Sequence, residues 1–166
     1  MGSTNPLLDE IVNRSKDGIL VTDHQFRIIM ANPAFCELFG WSADELAGED
    51  ARRFPGAAGD DARDAETLLG ALRERGSAES VLARRTGKDG QARPVSITAF
   101  MVACEPPAMV FVYRSLADEV RAAEELELAR HHYMTLAELT PDPVAVYSEG
   151  VISFVNTAAV RRFGGK

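Results

Sequence analysis

Apolar residues recur along this chain with two different periods, and each change of period marks an element. Leu7, Leu8, Ile11 and Val12 form one side of a first helix. Asn5 is placed to cap it, Pro6 takes its first position, and Asp9 and Glu10 sit where the helix dipole favours negative charge. That apolar side is expected to lie against the domain that follows. Gly18–Thr22 and Arg27–Met30 are short, β-branched runs joined by Asp23-His24-Gln25, and read as two strands with a turn. Asn32-Pro33 then opens a helix whose Ala34, Phe35, Leu38 and Phe39 face inward and which Gly40 stops. Ser42, with Glu45 three residues on, is a capping box for a second short helix.

From Gly48 to Asp60 the pattern lapses, with Pro55 and three glycines. The helical period returns over Asp61–Arg75, where Ala65, Leu68, Leu69 and Leu72 share a face and Gly76 ends the run. Three strands follow, at about Glu79–Arg85, Ala92–Ala103 and Ala108–Arg114; Asp89-Gly90 signals a hairpin between the first two. Five short strands cannot bury an apolar side alone, so the helices should cover one face of a single antiparallel sheet. The expected fold is α/β of the α+β kind: a five-stranded antiparallel sheet under helices, then a long connector helix.

That connector runs from Leu116 to Leu139 without proline or glycine. Ala122, Leu126, Ala129, Tyr133 and Leu136 recur at alternating spacings of four and three, a weak heptad seam with two alanines. Pro141-Asp142-Pro143 ends it.

The chain also repeats itself. Asp17-Gly18-Ile19-Leu20-Val21 returns as Asp142-Pro143-Val144-Ala145-Val146, Met30-Ala31-Asn32-Pro33-Ala34 as Phe154-Val155-Asn156-Thr157-Ala158, and Phe39-Gly40 as Phe163-Gly164. Three matches in order at a near-constant offset mark a second copy of one supersecondary unit. The organisation expected is a flanking helix over 1–16, a complete domain over 17–115, a connector over 116–139 and the truncated start of a second domain over 140–166.

The formal net charge of −7 argues against a nucleic-acid or anionic-membrane surface, since the mean field repels both. No segment has the length of a membrane span, and two cysteines, Cys36 and Cys104, fit two free thiols in a reducing compartment. A cytoplasmic location is therefore expected. No grouping of three histidines and two cysteines has metal-ligand spacing, so no metal is expected. Gly56-Ala57-Ala58-Gly59 lacks the Gly-Lys-Ser/Thr of a phosphate loop. His131-His132 is followed by Tyr133-Met134-Thr135 and reads as a surface pair. No catalysis is expected within these residues.

The run Asp17-Gly18-Ile19…Val21-Thr22-Asp23…Ile28-Ile29-Met30-Ala31-Asn32-Pro33-Ala34-Phe35…Phe39-Gly40-Trp41…Glu45-Leu46-Ala47-Gly48 resembles the PAS family of sensor domains. The resemblance continues through Arg85-Thr86-Gly87-Lys88-Asp89-Gly90 and covers about residues 8 to 115, while Leu139 to Gly164 looks like the beginning of a second such domain. It implies a sheet and helices around a small pocket, with output through flanking helices. Asn32 matches the family's asparagine at the helix start, with a structural role in capping; Asp17, Asp23, Gly40 and Asn156 are structural candidates beside it. The light-sensing branch uses an Asn-Cys-Arg-Phe type motif that does not occur here, and Cys36 does not match its position. The haem-binding branch needs a histidine on the helix before the third strand, and Asp61–Arg75 has none. A covalent flavin adduct and haem are both disfavoured, and no cofactor is the first expectation.

Candidates for lining a pocket are Phe35, Phe39, Leu68, Leu72, Ile97, Phe100, Val110 and Val112; some are simply core. Arg84, Arg93 and Ser96 are polar groups whose facing the parity leaves open. Leu7, Ile11 and Val12, with the seam at Ala122, Leu126, Ala129, Tyr133 and Leu136, are candidates for a homodimer contact. Two functions stand side by side: a sensor of a small molecule or partner that acts on a downstream output, or a ligand-free dimerisation and spacing module. A haem or flavin redox sensor is the third. The output module of a parent protein, a histidine kinase or cyclic-nucleotide enzyme, is expected by family analogy alone.

Overall fold

The computed structural model describes residues 6–54, 56–57 and 62–164, with 56–57 and 62–66 described as backbone only. The expected cap at Asn5 and the side chain of Ala65 lie outside the described residues. The chain divides into two compact units, one ending at Asp118 and the other beginning at Glu119.

The first unit opens with α1 (Pro6–Arg14), β1 (Gly18–Asp23) and β2 (Ile28–Ala31). Asp23 accepts hydrogen bonds from the Gln25 and Arg27 amides at 2.7 and 2.9 Å, which folds the β1–β2 turn. Helix α2 (Pro33–Phe39) starts at Asn32, and Gly40 ends it in the left-handed conformation at φ 77°, where a side chain would be strained. The Ser42–Glu45 capping box starts α3 (Ala43–Leu46). A 3₁₀ turn (Ala51–Arg53) leads to a two-residue strand, β3 (Gly56–Ala57), and to α4 (Ala62–Arg75). Then come β4 (Ser77–Thr86), β5 (Ala92–Val102) and β6 (Ala108–Ser115).

All strand pairs are antiparallel, in the order β2-β1-β6-β5-β4-β3. The five expected strands are present. β3 adds a sixth that no periodicity could announce, because two residues carry no alternation; it pairs Gly56 with Thr86 and Ala57 with Arg85. β4 begins earlier than its pattern suggests and slips register between Ala78 and Val81, with Ser80 at φ 51°. Such an irregularity breaks the alternation by which strands are read.

Residues of one parity on β1, β4, β5 and β6, among them Leu20, Val95, Ile97, Phe111 and Tyr113, form the core with Phe35 and Phe39 of α2, Leu46 of α3 and Leu72 of α4. The helices thus cover one face of the sheet. At Gly18 an added Cβ would lie 3.0 Å from the Phe35 Cα, so strand and helix approach more closely than a side chain ordinarily allows. One expectation is corrected here: α1 does not lay its apolar side on the domain. Leu7, Leu8 and Ile11 are exposed, Val12 is half-buried, and α1 buries no residue fully.

The second unit holds most of α5 (Ala117–Leu139), the antiparallel hairpin β7 (Ala145–Ser148) and β8 (Val151–Val155), and α6 (Thr157–Phe163). Asn156 caps α6 as Asn32 caps α2, and Gly164 ends it at φ 70°. Among the described residues, no helix is long and apolar enough to cross a membrane.

Candidate functional site

A cavity of about 170 Å³ lies in the first unit on the inner face of the sheet. Leu20 of β1, Ile97 of β5, and Phe111 and Tyr113 of β6 form its floor, and Leu68 and Leu69 of α4 close it from the helix side. Phe26, from the β1–β2 turn, and Phe54, after the 3₁₀ turn, complete the apolar wall. Phe26 holds a left-handed backbone (φ 65°) between two hydrogen bonds, its N–H to the Asp23 carbonyl at 3.1 Å and its carbonyl from the Ala51 N–H at 2.8 Å. Those bonds carry the strain of a non-glycine residue in that region and fix the ring on the cavity.

Two polar side chains belong to this wall. Arg85 on β4 is 5% exposed, and its Nη1 donates to the Arg84 carbonyl at 3.0 Å. Tyr113 on β6 is fully desolvated, which pushes its phenol up to about 12; the positive charge of Arg85 works against that rise, so the two groups share one field. The Tyr113 ring is held from behind by Phe35 and Phe39, edge-on with centroids 5.3 and 5.4 Å away. At the rim, Arg52 is more than half exposed and paired with Asp50 at 2.6 Å, and its guanidinium stands 5.4 Å above the Phe26 ring. The hydrogen bonds from Arg52 hold the Asp50 carboxyl down at about 2.

The expected lining set divides three ways. Leu68 and Ile97 reach the cavity. Phe35, Phe39 and Leu72 are core behind it, fully or nearly fully buried. Phe100, Val110 and Val112 are a correction: they belong to the opposite parity, paired as Phe100↔Val110 and Thr98↔Val112, and stand on the outer face, Phe100 being 39% exposed. Both parities of β6 are apolar, so alternation alone could not say which side faces the helices. Aromatic size was the available signal, since Phe111 and Tyr113 are buried while Val110 and Val112, which alternate with them, are not. The paired arginines Arg84 and Arg85 read as solvated surface in the sequence, and for Arg85 that is a correction: it is buried on the inner face, because the register slip between Ala78 and Val81 breaks the alternation of β4. Arg84 is exposed, Arg93 pairs with Asp89 at 2.5 Å, and Ser96 lies by Asp17, Ser80, Thr98 and Arg114 on the outer face.

The structural candidates form a bracket. Asn32 Oδ1 accepts from the Ile19 and Phe35 amides at 2.8 and 2.9 Å, and Nδ2 donates to the Val12 and Asp17 carbonyls at 3.0 Å each. Every hydrogen-bonding site of that buried amide is used, joining the end of α1, the start of β1 and the start of α2. Asp17 also lies 3.6 Å from Arg114 of β6. In the second unit Asn156 repeats the bracket, accepting from Val144 and Ala159 and donating to the carbonyls of Ala137 and Asp142.

Of the connector seam, Leu126, Tyr133 and Leu136 are well exposed, and Ala122 and Ala129 are exposed with them. His131 and His132 lie on the same exposed helix, and His24 is exposed in its turn. The described lining contains no histidine or cysteine. Cys36 is half-buried on α2, its thiol raised chiefly by burial, and Cys104 is exposed. A cavity of this size suits one ring, as a 150 Å³ cavity suits benzene.

An antiparallel sheet with helices on one face and a small, largely apolar cavity between them defines an α+β domain. A family model described as the PAS domain matches residues 16–113, and a second of the same description matches residues 131–165. The chain belongs to the PAS domain family. Among solved structures it is similar to the PAS domain of a protein from Colwellia psychrerythraea, at 19% identity over 66% of this chain and 94% of that one, TM-score 0.59. It is also similar to a PAS domain from a two-component sensor histidine kinase (12%, 66% and 94%, TM-score 0.56). The PAS domain of nitrogen regulation protein NR(II) from Vibrio parahaemolyticus is a third (22%, 66% and 97%, TM-score 0.55). No curated protein matches the chain. PAS domains are sensor domains typical of signal transduction, and this one carries the fold of the family.

Proposed function

We propose that the first unit is a sensor whose cavity takes a small molecule, and that the connector helix passes the resulting change to a downstream module. The observation that carries this is the position of Tyr113. It is a wall of the cavity and lies two residues before the end of β6, and one residue, Leu116, separates β6 from α5. Leu116 donates its N–H to the Pro94 carbonyl at 3.0 Å, so the exit from the sheet is pinned beside the cavity strands. A ligand that shifts Tyr113 acts on that exit without an intermediate element.

The output is proposed as a signalling enzyme on the same parent chain, a histidine kinase being the kind named for one structural neighbour and a cyclic-nucleotide enzyme the other candidate. The working form is proposed as a homodimer. Leu7 and Ile11 of α1, the outer sheet face with Phe100, and the seam at Leu126, Tyr133 and Leu136 are apolar surfaces that one chain leaves exposed. A dimer is common to this reading and to the rival one of a ligand-free spacing module; the cavity is what favours the sensor.

Native mass spectrometry combined with hydrogen exchange tests the proposal. The expected result is a dimer carrying a small-molecule mass, whose removal changes exchange at Leu116 and the first turn of α5. A dimer at bare chain mass that stays bare after incubation with a metabolite extract, with exchange at α5 unaltered, overturns the sensor reading in favour of the spacer.

A further inference from the structure

We infer that the ligand class of this cavity is an uncharged single-ring molecule bearing one oxygen, with that oxygen bound by the Tyr113 hydroxyl. The inference rests on the cavity being a ligand site, as proposed above, and adds the chemistry of the ligand. Tyr113 lines the cavity and is 6% exposed, and among the described residues no hydrogen-bond partner meets its hydroxyl. What acts on the phenol is burial and, against it, the charge of Arg85. A buried hydroxyl without a partner is costly, and an acceptor on a molecule inside the cavity removes that cost. The phenol keeps its proton far above neutral pH, so it donates and the ligand oxygen accepts.

The charges of the wall are already engaged within the protein. Arg52 holds Asp50 through Nε and Nη2, at 2.9 and 2.6 Å. Arg85 donates from Nη1 to the Arg84 carbonyl at 3.0 Å and has a further interaction inside the fold. The described lining contains no aspartate or glutamate. A charged ligand would therefore give up its water against a wall whose charges are taken. The remaining surface is aliphatic at Leu20, Leu68 and Ile97 and aromatic at Phe26, Phe54 and Phe111. Those rings suit a flat ring packed edge-on or offset, and the volume of about 170 Å³ admits roughly one.

The test uses the whole chain, labelled for NMR and titrated with phenol, toluene and benzoate. Phenol and toluene should shift the amides of Leu20, Ile97 and Phe111, and benzoate should not. Tyr113→Phe keeps the ring that packs on Phe35 and Phe39 and removes only the hydroxyl. It should weaken phenol about fivefold, the size of one neutral hydrogen bond, and leave toluene within about twofold. Ala51→Leu puts extra carbon into the cavity from the 3₁₀ turn and should weaken both probes at least about fivefold. Equal effects of Tyr113→Phe on phenol and toluene overturn the role of the hydroxyl and leave the sensor reading standing. Benzoate binding at these amides as tightly as phenol overturns the uncharged class and again leaves that reading standing. Shifts that persist unweakened in Ala51→Leu place the probes elsewhere and overturn the inference. No shift with any of the three overturns it as well, and the sensor reading is then judged separately by the mass and exchange experiment.

Discussion

The two copies of the repeat share their local chemistry and differ in everything that depends on a closed sheet. Asn32 and Asn156 have nearly the same backbone, φ −78° and ψ 165° against φ −79° and ψ 163°, and their side chains accept and donate to equivalent groups. Both brackets tie the end of the preceding helix, through the carbonyl of Val12 in one copy and of Ala137 in the other. The second copy adds Glu138, which accepts from the Thr157 N–H at 3.1 Å, where the first has Pro33 and no N–H to offer. Yet Phe39 is wholly buried while its counterpart Phe163 is 76% exposed. Helix starts, helix stops and the hairpin are set within some twenty residues of sequence. Burial in the first copy waits for β4, β5 and β6, which are distant in sequence from its hairpin.

The largest separation between the copies should come from the paired phenylalanines. Phe39→Ala is expected to destabilise the first unit by roughly 4 kcal/mol, the usual cost of emptying a core aromatic site. Phe163→Ala should stay within about 0.5 kcal/mol, as exposed substitutions do. Urea unfolding followed by circular dichroism measures both; equal effects would show that the second hairpin has a core of its own. The asparagines come next. Asn32→Ala leaves the Ile19 amide and the Asp17 carbonyl without their partner in a buried setting, at a cost of about 3 kcal/mol to the same transition. Asn156→Ala should leave that transition where it is and speed exchange at the Val144 and Ala159 amides. A shift of the first unit's midpoint on Asn156→Ala would mean that the two brackets are coupled.

Tyr113 sharpens the contrast between enclosed and open regions, because Tyr133 and Tyr147 are both well exposed. In a spectrophotometric titration the Tyr113 phenolate should appear only near 12. The sign of the linkage follows. Below an ordinary tyrosine pKa of 10 the contribution of the buried phenol is complete. Between 10 and 12 the folded state keeps a proton that the unfolded chain has released, so stability falls as pH rises, by roughly 1.4 kcal/mol per unit. Tyr113→Phe removes that component; an identical alkaline profile in the variant would show that the phenol is reached by water. The smallest expected effect is on association: Leu126→Lys on α5 should weaken the proposed dimer about tenfold in sedimentation equilibrium. An unchanged dimer would move the interface from the seam to α1 and the outer sheet face.

What could be read from the residues follows the range of the interactions involved. Ser42 with Glu45, Asn32 before Pro33, Gly40 and the Asp89-Gly90 turn act over a few positions, and their elements were legible for that reason. The cavity was not, because Leu20, Arg85 and Tyr113 are brought together by strands far apart in the chain. The parity of β6 was ambiguous with apolar residues at every position from Ala108 to Tyr113, and a register slip between Ala78 and Val81 broke the alternation of β4 ahead of Arg84 and Arg85. Phe26 and Phe54 come from turns, where no period exists to place a ring. By itself the amino-acid order settled the family, the antiparallel sheet, the helix boundaries and the repeat. The tertiary structure alone decided which face of the sheet is inside, which arginine is buried, and that α1 leaves its leucines in the open. Those choices belong to packing, in which one face gains only as the whole sheet closes over it.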